Sequence, residues 1–297
     1  MTSLSRFAPA LFVLLWATGF IGAGYAMPHA EPFAFLFVRF ALSALLLLAI
    51  VWWWQAKSLT PAAAMHAAIA GAMIHGVYLG GVFWAIDHGM PAGLSALIIG
   101  LQPLLTTLLA GAFLGERVRP RHWLGLAIGF IGVVIVLSPR LGSIGGGVDA
   151  WTVGACLVAV AGISAGTVWQ KRFVADADLL TGTLWQYAGG AVLVAVAAFM
   201  LETGSYRLTG ELVFAMAWLV LVLSIGAILL LMYLIRDGVV ARVSSLFYLV
   251  PGVTAVMAWV LFGETLEPVQ IGGIVIASLG VALATRGGGR PGPTGGA

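Results

Sequence analysis

Charge is scarce in this chain. Asp, Glu, Lys and Arg make up 8% of its 297 residues, hydrophobic residues 61%, and the mean hydropathy is +1.07. A soluble domain is roughly 25% charged, so this chain cannot cover a water-facing surface and its solvent must be lipid. Cysteine is rarer still: the single one, Cys156, lies inside an apolar run, which rules out a disulfide framework and any metal site built on cysteines. Nothing in the sequence calls for a cofactor or a metal. The net charge of +3 is spread over loops rather than gathered in a patch, which excludes nucleic acid as a partner. No Asp or Glu falls deep within an apolar run, so coupling to protons or sodium has little to stand on. Two short motifs also fail as chemistry. Gly145-Gly146-Gly147 has no Gly-Lys-Ser/Thr ending of a phosphate loop. Gly162-Ile163-Ser164-Ala165-Gly166 fits a hydrolase nucleophile pattern but sits in a helical run, not at a strand-to-helix elbow. It reads as small-residue helix packing, as do Gly76 with Gly80 and Gly125 with Gly129.

What the chain does contain is a passage written twice. Leu101, Pro103, Thr106, Ala110, Gly115, Glu116, Pro120, Gly125, Ile128, Gly132 and Val133 recur 148 residues later. Their counterparts are Leu249, Pro251, Thr254, Ala258, Gly263, Glu264, Pro268, Gly273, Ile276, Gly280 and Val281. Leu, Ala and Gly could coincide by composition; Pro and Glu are too scarce here for that. The chain is an internal duplication.

Apolar stretches of about 20 residues, bounded by polar or Pro/Gly punctuation, number ten. They run over 7–27, 32–53, 64–86, 91–114, 120–138, 149–172, 180–201, 211–235, 240–262 and 267–285. Arg6 before an apolar run gives the first a signal-peptide look, but removing it would break a five-plus-five pairing. With the N-terminus in the cytoplasm, 11 of the 14 Lys and Arg residues fall inside, only Arg140 and Arg207 fall outside, and Arg39 lies within a span. That strong positive-inside bias places both termini in the cytoplasm. Five spans per copy means that the copies cross the membrane in opposite directions. The fold class is therefore all-α and polytopic: ten transmembrane helices as two inverted five-helix repeats, 7–138 and 149–285. A Gly/Pro-rich tail at 286–297 is expected to be disordered. Inverted repeats are the recurring architecture of secondary transporters, with the substrate site at the midplane.

Pro103 and Pro251 fall near the middle of the fourth and ninth spans. A proline there removes one backbone donor and frees a carbonyl that lipid cannot satisfy. Paired breaks in corresponding spans point to a substrate site, while each alone serves equally as a packing kink. Polar and aromatic groups flank them, Gln102 on the fourth span and Phe247 and Tyr248 on the ninth, and other spans contribute more: His75 and Tyr78 on the third, Trp16 on the first. Together they could line an aromatic-walled cavity with few hydrogen-bonding groups; singly, each could be interhelical glue. Glu116 and Glu264 follow glycines at helix C-termini, where the helix dipole disfavours negative charge, and should pair with a neighbouring helix or loop as latch or staple. Arg39, about two turns into the second span, costs about 2.5–3.5 kcal/mol on insertion scales. It must either snorkel to the interface or hold a carboxylate, the protein's own or a substrate's.

These residues resemble those of the drug/metabolite transporter superfamily, in particular EamA-type ten-helix permeases. The likeness is borne by Trp16 with Gly19-Phe20, Pro32 followed by Arg39-Phe40, Ala92 to Pro103, Gly115-Glu116 with Gly125 and Gly132, and then Pro251, Gly263-Glu264, Gly273 and Gly280. It covers residues 7–285. The second copy departs at the Arg39 equivalent, where Gln186-Tyr187 stands. The resemblance implies a secondary transporter of the cytoplasmic or inner membrane, a monomer or homodimer rather than an enzyme. It would export a small metabolite such as an amino acid by alternating access, along a path between the halves. An importer or facilitator of the same fold is the nearest alternative. An intramembrane enzyme would need a nucleophile and base at depth, and a channel would need a charged ring or carbonyl filter.

Overall fold

The computed structural model describes residues 3–116, 118–139, 148–226, 230 and 249–285. Ten helical segments occupy the ten expected spans: α1 (Ser3–Ala26), α2 (Pro32–Trp53), α3 (Pro61–Asp87), α4 (Ala92–Leu114), α5 (Pro120–Leu137), α6 (Ala150–Phe173), α7 (Leu179–Leu201), α8 (Gly210–Gly226), α9 (Val250–Phe262) and α10 (Pro268–Thr285). Six of them, α2 to α7, are long and apolar enough to cross a membrane. Residues 227–229 and 231–248, the junction of the eighth and ninth expected spans, lie outside the described residues, as does the tail from 286.

Local chemistry sets the helix ends. Proline opens α2, α3, α5 and α10, where its missing N–H costs nothing. Thr60, Asp149, Asp178 and Thr209 cap α3, α6, α7 and α8 by accepting backbone N–H bonds. Gly115 and Gly263 end α4 and α9 at φ 70° and 68°, a left-handed turn that a side chain would strain. Two features depart from regular helix. Around Gly100-Leu101 α4 breaks, just before Pro103. Within α3 and α8, Ala72–Val77 and Trp218–Gly226 wind as π-helix. The spacing of apolar residues does not announce a π-segment.

Helices approach until backbones touch. A Cβ on Gly132 of α5 would sit 2.4 Å from the Ala277 nitrogen of α10, and one on Gly280 of α10 would sit 2.5 Å from the Gly129 nitrogen of α5. Gly71 of α3 packs against α7 so closely that a Cβ would fall 1.9 Å from the Gln186 carbonyl oxygen. Gly162 and Gly166 of α6 seat side chains of α3, as small-residue packing requires. Phe35, Phe40, Phe83, Leu97 and Leu104 fill the interior, while Leu45, Trp52, Trp53 and Phe199 face outward, as lipid permits.

Candidate functional site

A cavity of about 100 Å³ lies among α1, α2, α3, α7 and α8. Trp16 and Phe20 come from α1, Arg39 from α2, His75, Tyr78 and Phe83 from α3, Tyr187 from α7 and Leu223 from α8. Two pairs of these residues are separated by the repeat offset of 148: Arg39 with Tyr187, and His75 with Leu223. The cavity thus gathers equivalent positions of the two copies. His75 and Leu223 stand in the two π-segments, which are themselves equivalent, since shifting Ala72–Val77 by 148 lands inside Trp218–Gly226. A π-turn widens the helix and shifts the phase of the side chains beyond it, a distortion frequent at functional sites.

Arg39 is 3% exposed, so it does not snorkel: its side chain turns inward to the cavity. Its Nε and Nη1 make no hydrogen bond with any described residue, and its Cζ lies 5.9 Å from the Phe40 ring centroid. His75 stacks on Tyr187 with centroids 4.4 Å apart and planes at 11°, and its Nε2 is likewise without a partner. Stripping an ion of water costs several kcal/mol even after relaxation, so an uncompensated guanidinium marks a place where the fold accepts a penalty.

The other expected site residues go elsewhere. Gln102 and Pro103 do not line this cavity. The Gln102 carbonyl instead accepts a bond from the Ser164 hydroxyl (3.3 Å), and the Pro103 carbonyl one from Thr107 (2.8 Å), both near the break in α4. Pro251 abuts Gly100, and the cleft they share is only about 10 Å³. Pro251, in the first turn of α9, therefore packs against the break in α4. Phe247 and Tyr248 lie outside the described residues. Thus Trp16, His75, Tyr78 and Arg39 come together, without Gln102, Pro103 or Pro251.

The two ends of the bundle are built differently. At one, the loop after α1 and the loop after α7 are bound together. Ala30 and Tyr206 form an antiparallel bridge; Arg207 N–H donates to the His29 carbonyl (2.8 Å), and the Arg207 guanidinium to that of Pro28 (2.8 Å). The Glu31 carboxylate accepts from Thr203 N–H (3.1 Å), its hydroxyl (3.0 Å) and Ser205 N–H (2.7 Å). Those donors, led by Thr203, hold its pKa below the ordinary carboxylate value. Glu202 accepts from the first free N–H groups of α2, Phe33 (2.6 Å) and Ala34 (2.7 Å), although burial pushes its pKa up. Glu264 does the same for α4 through Ala92 (3.0 Å) and Gly93 (3.4 Å). At the other end Glu116 pairs with Lys171, both well exposed, and Arg172 donates to the Phe113 carbonyl (2.9 Å). There a wider cavity of about 320 Å³ opens between α6 and α7 and reaches Gln186, next to Tyr187. Larger grooves of about 550 and 430 Å³ sit on outward apolar faces, beside Trp259 and Leu208, where lipid belongs.

Tyr187 stands at the Arg39 equivalent that the repeat offset marks in the sequence. Glu202 escapes such a reading: it has no local signal, because its bonding partners are 168 and 169 residues away.

A model of the EamA-like transporter family matches residues 7–138 and 150–286. The chain is similar to an Escherichia coli K12 protein named an uncharacterized inner membrane transporter, YedA: 29% identity over 284 residues, covering 94% of this chain and 90% of that one. It is also similar to a probable amino-acid metabolite efflux pump of Salmonella typhimurium, at 24% identity over 307 residues and 95% of each chain. One solved crystal structure aligns with a TM-score of 0.64 and 21% identity over 96% of this chain and 98% of that one, a likeness of fold.

Proposed function

The chain belongs to the EamA-like transporter family, and from that premise we propose that it is a secondary carrier of the inner membrane that exports a small metabolite by alternating access. The observation behind this reading is the cavity shared by equivalent positions of the two copies, Arg39 with Tyr187 and His75 with Leu223. Inverted repeats trade conformations about such a point. The two repeats, 7–138 and 149–285, are the moving bodies, and the Gly-rich crossings of α5 with α10 and α3 with α7 are the surfaces on which they shift. The bound loops of Glu31 and Glu202 form the outer end, with both termini in the cytoplasm, as the distribution of Lys and Arg requires. In the conformation described here that end is fastened, and the 320 Å³ opening at Lys171 gives onto the cytoplasm. Glu116 and Glu264 act as latches, one at each end. The name of the Salmonella relative, a probable amino-acid metabolite efflux pump, supports a small compound of amino-acid metabolism as the substrate.

The test is a comparison of culture media from cells producing the wild type or Trp16→Ala at equal abundance, followed by flux measurements in proteoliposomes. A metabolite enriched outside only with the wild type, whose flux saturates and is accelerated by substrate on the far side, establishes an exporting carrier. Flux that never saturates would make it a channel, and accumulation inside the cell an importer.

A further inference from the structure

We propose that the Arg39 cavity recognises a small monocarboxylate: an organic acid with one negative charge, an apolar or aromatic body and no ammonium group. This rests on the carrier reading above and gives it a substrate class.

The argument begins with where the acids are. The chain has 11 Asp and Glu residues. Ten of them are described, and all ten lie at helix ends or in loops. The eleventh, Asp237, falls by sequence after the eighth expected span and lies outside the described residues. The ion pairs among the described residues are His29 with Glu211, His88 with Asp87 and Lys171 with Glu116; Arg39 is in none of them. The described carboxylates are thereby set aside, and so is snorkelling, because the side chain is buried and lines the cavity. A guanidinium presents planar donors matched to a carboxylate, and here Nε and Nη1 have no protein acceptor.

The rest of the lining narrows the class. Among the described residues Arg39 is the only Lys or Arg lining the cavity, so the charge it complements is single; phosphate or sulfate dianions would leave one charge unmatched in a low-dielectric site. Among the described residues no carboxylate lines the cavity to receive an ammonium group, which disfavours a zwitterion. Trp16, Phe20 and Phe83 supply flat apolar walls for the body of the acid. The volume, about 100 Å³, is well below that of a site for a drug-sized ligand, so the acid must be small.

The full-length protein in lipid nanodiscs is titrated calorimetrically with phenylacetate and 3-methylbutanoate, and with the matching amides, which keep the shape and remove the charge. The acids should bind at least about tenfold more tightly than the amides, the size of effect expected for charge-assisted bonds. Arg39→Gln should erase that ratio, and Arg39→Lys, which keeps the charge but not the planar fork, should restore part of it. Equal binding of acid and amide, no binding of either acid, or tighter binding of phenylalanine and leucine than of the acids would overturn the proposal. The acid and amide pair is measured on the wild type, so it decides the matter even if the Arg39 variants do not fold. Proteoliposomes separate the two readings. Acids that bind but are never transported refute the carrier and leave this site standing. Saturable transport of neutral solutes, indifferent to Arg39→Gln, does the reverse.

Discussion

Gly115-Glu116 and Gly263-Glu264 turn the backbone alike, at φ 70° and 68°, yet their carboxylates meet opposite surroundings. Glu264 accepts two backbone N–H bonds at the start of α4, where the dipole of that helix welcomes negative charge. Glu116 pairs with a solvent-facing lysine. Duplication preserved the turn, a matter of local backbone geometry, while the partner of each glutamate is set by tertiary neighbours that differ between the copies. One end of the molecule is consequently fastened to backbone groups and the other by an exposed ion pair, the weaker kind of tie in water.

The largest effect should come from locking the fastened end. Directly opposed residues of an antiparallel bridge have Cα atoms about 4.5–5.5 Å apart, within the range for a disulfide. Ala30→Cys with Tyr206→Cys, oxidised, should therefore abolish transport, and reduction should restore it; unchanged flux in the oxidised form would mean that this end never opens. A second experiment asks whether the equivalence of the copies extends past the turns. Gly132→Leu and Gly280→Leu should each cost about 3 kcal/mol or more, through forced separation of α5 and α10. Melting in detergent that spares one of them would break the equivalence. The contrast between the glutamates is sharpened by a matched pair: Glu264→Ala should cost about 1–2 kcal/mol, and Glu116→Ala no more than about 0.5 kcal/mol, less at high salt. Equal losses would erase it.

The smallest effect is a pH dependence. The Glu31 pKa is lowered in the folded state, so its contribution is present above the unfolded pKa and is lost as pH falls through the folded one. The stability gap between the wild type and Glu31→Gln should accordingly be full above the ordinary carboxylate range and close as pH falls through and below it. Glu202, whose pKa is raised by burial, has the opposite sign: its ionisation opposes folding, and protonation relieves that cost.

Composition and the duplicated passage made the ten helices and the resemblance of family legible, because both depend on signals that lie along the chain. The same passage pointed to Glu116 and Glu264 as residues needing partners, and each has one. Trp16, His75 and Tyr78 line one cavity, since aromatic and polar side chains turn away from lipid. Pro103 and Pro251 do not line that cavity; the Pro251 ring packs instead against Gly100, at the break in α4. Arg39 could not be oriented from sequence, because snorkelling and burial begin from the same depth. The π-segments left no trace in hydropathy, for they alter winding rather than composition.

The joined outer loops also set a timetable. Pro28 and Arg207 are 179 residues apart, and at a synthesis rate of about 5–20 residues per second the second reaches the membrane roughly 10–35 s after the first. For that interval the segment from Met27 to Glu31 waits without its partner, and α2 waits without Glu202 at its first turn. The earliest hairpin of the protein is thus provisional, and its final set is deferred until the seventh helix has been inserted.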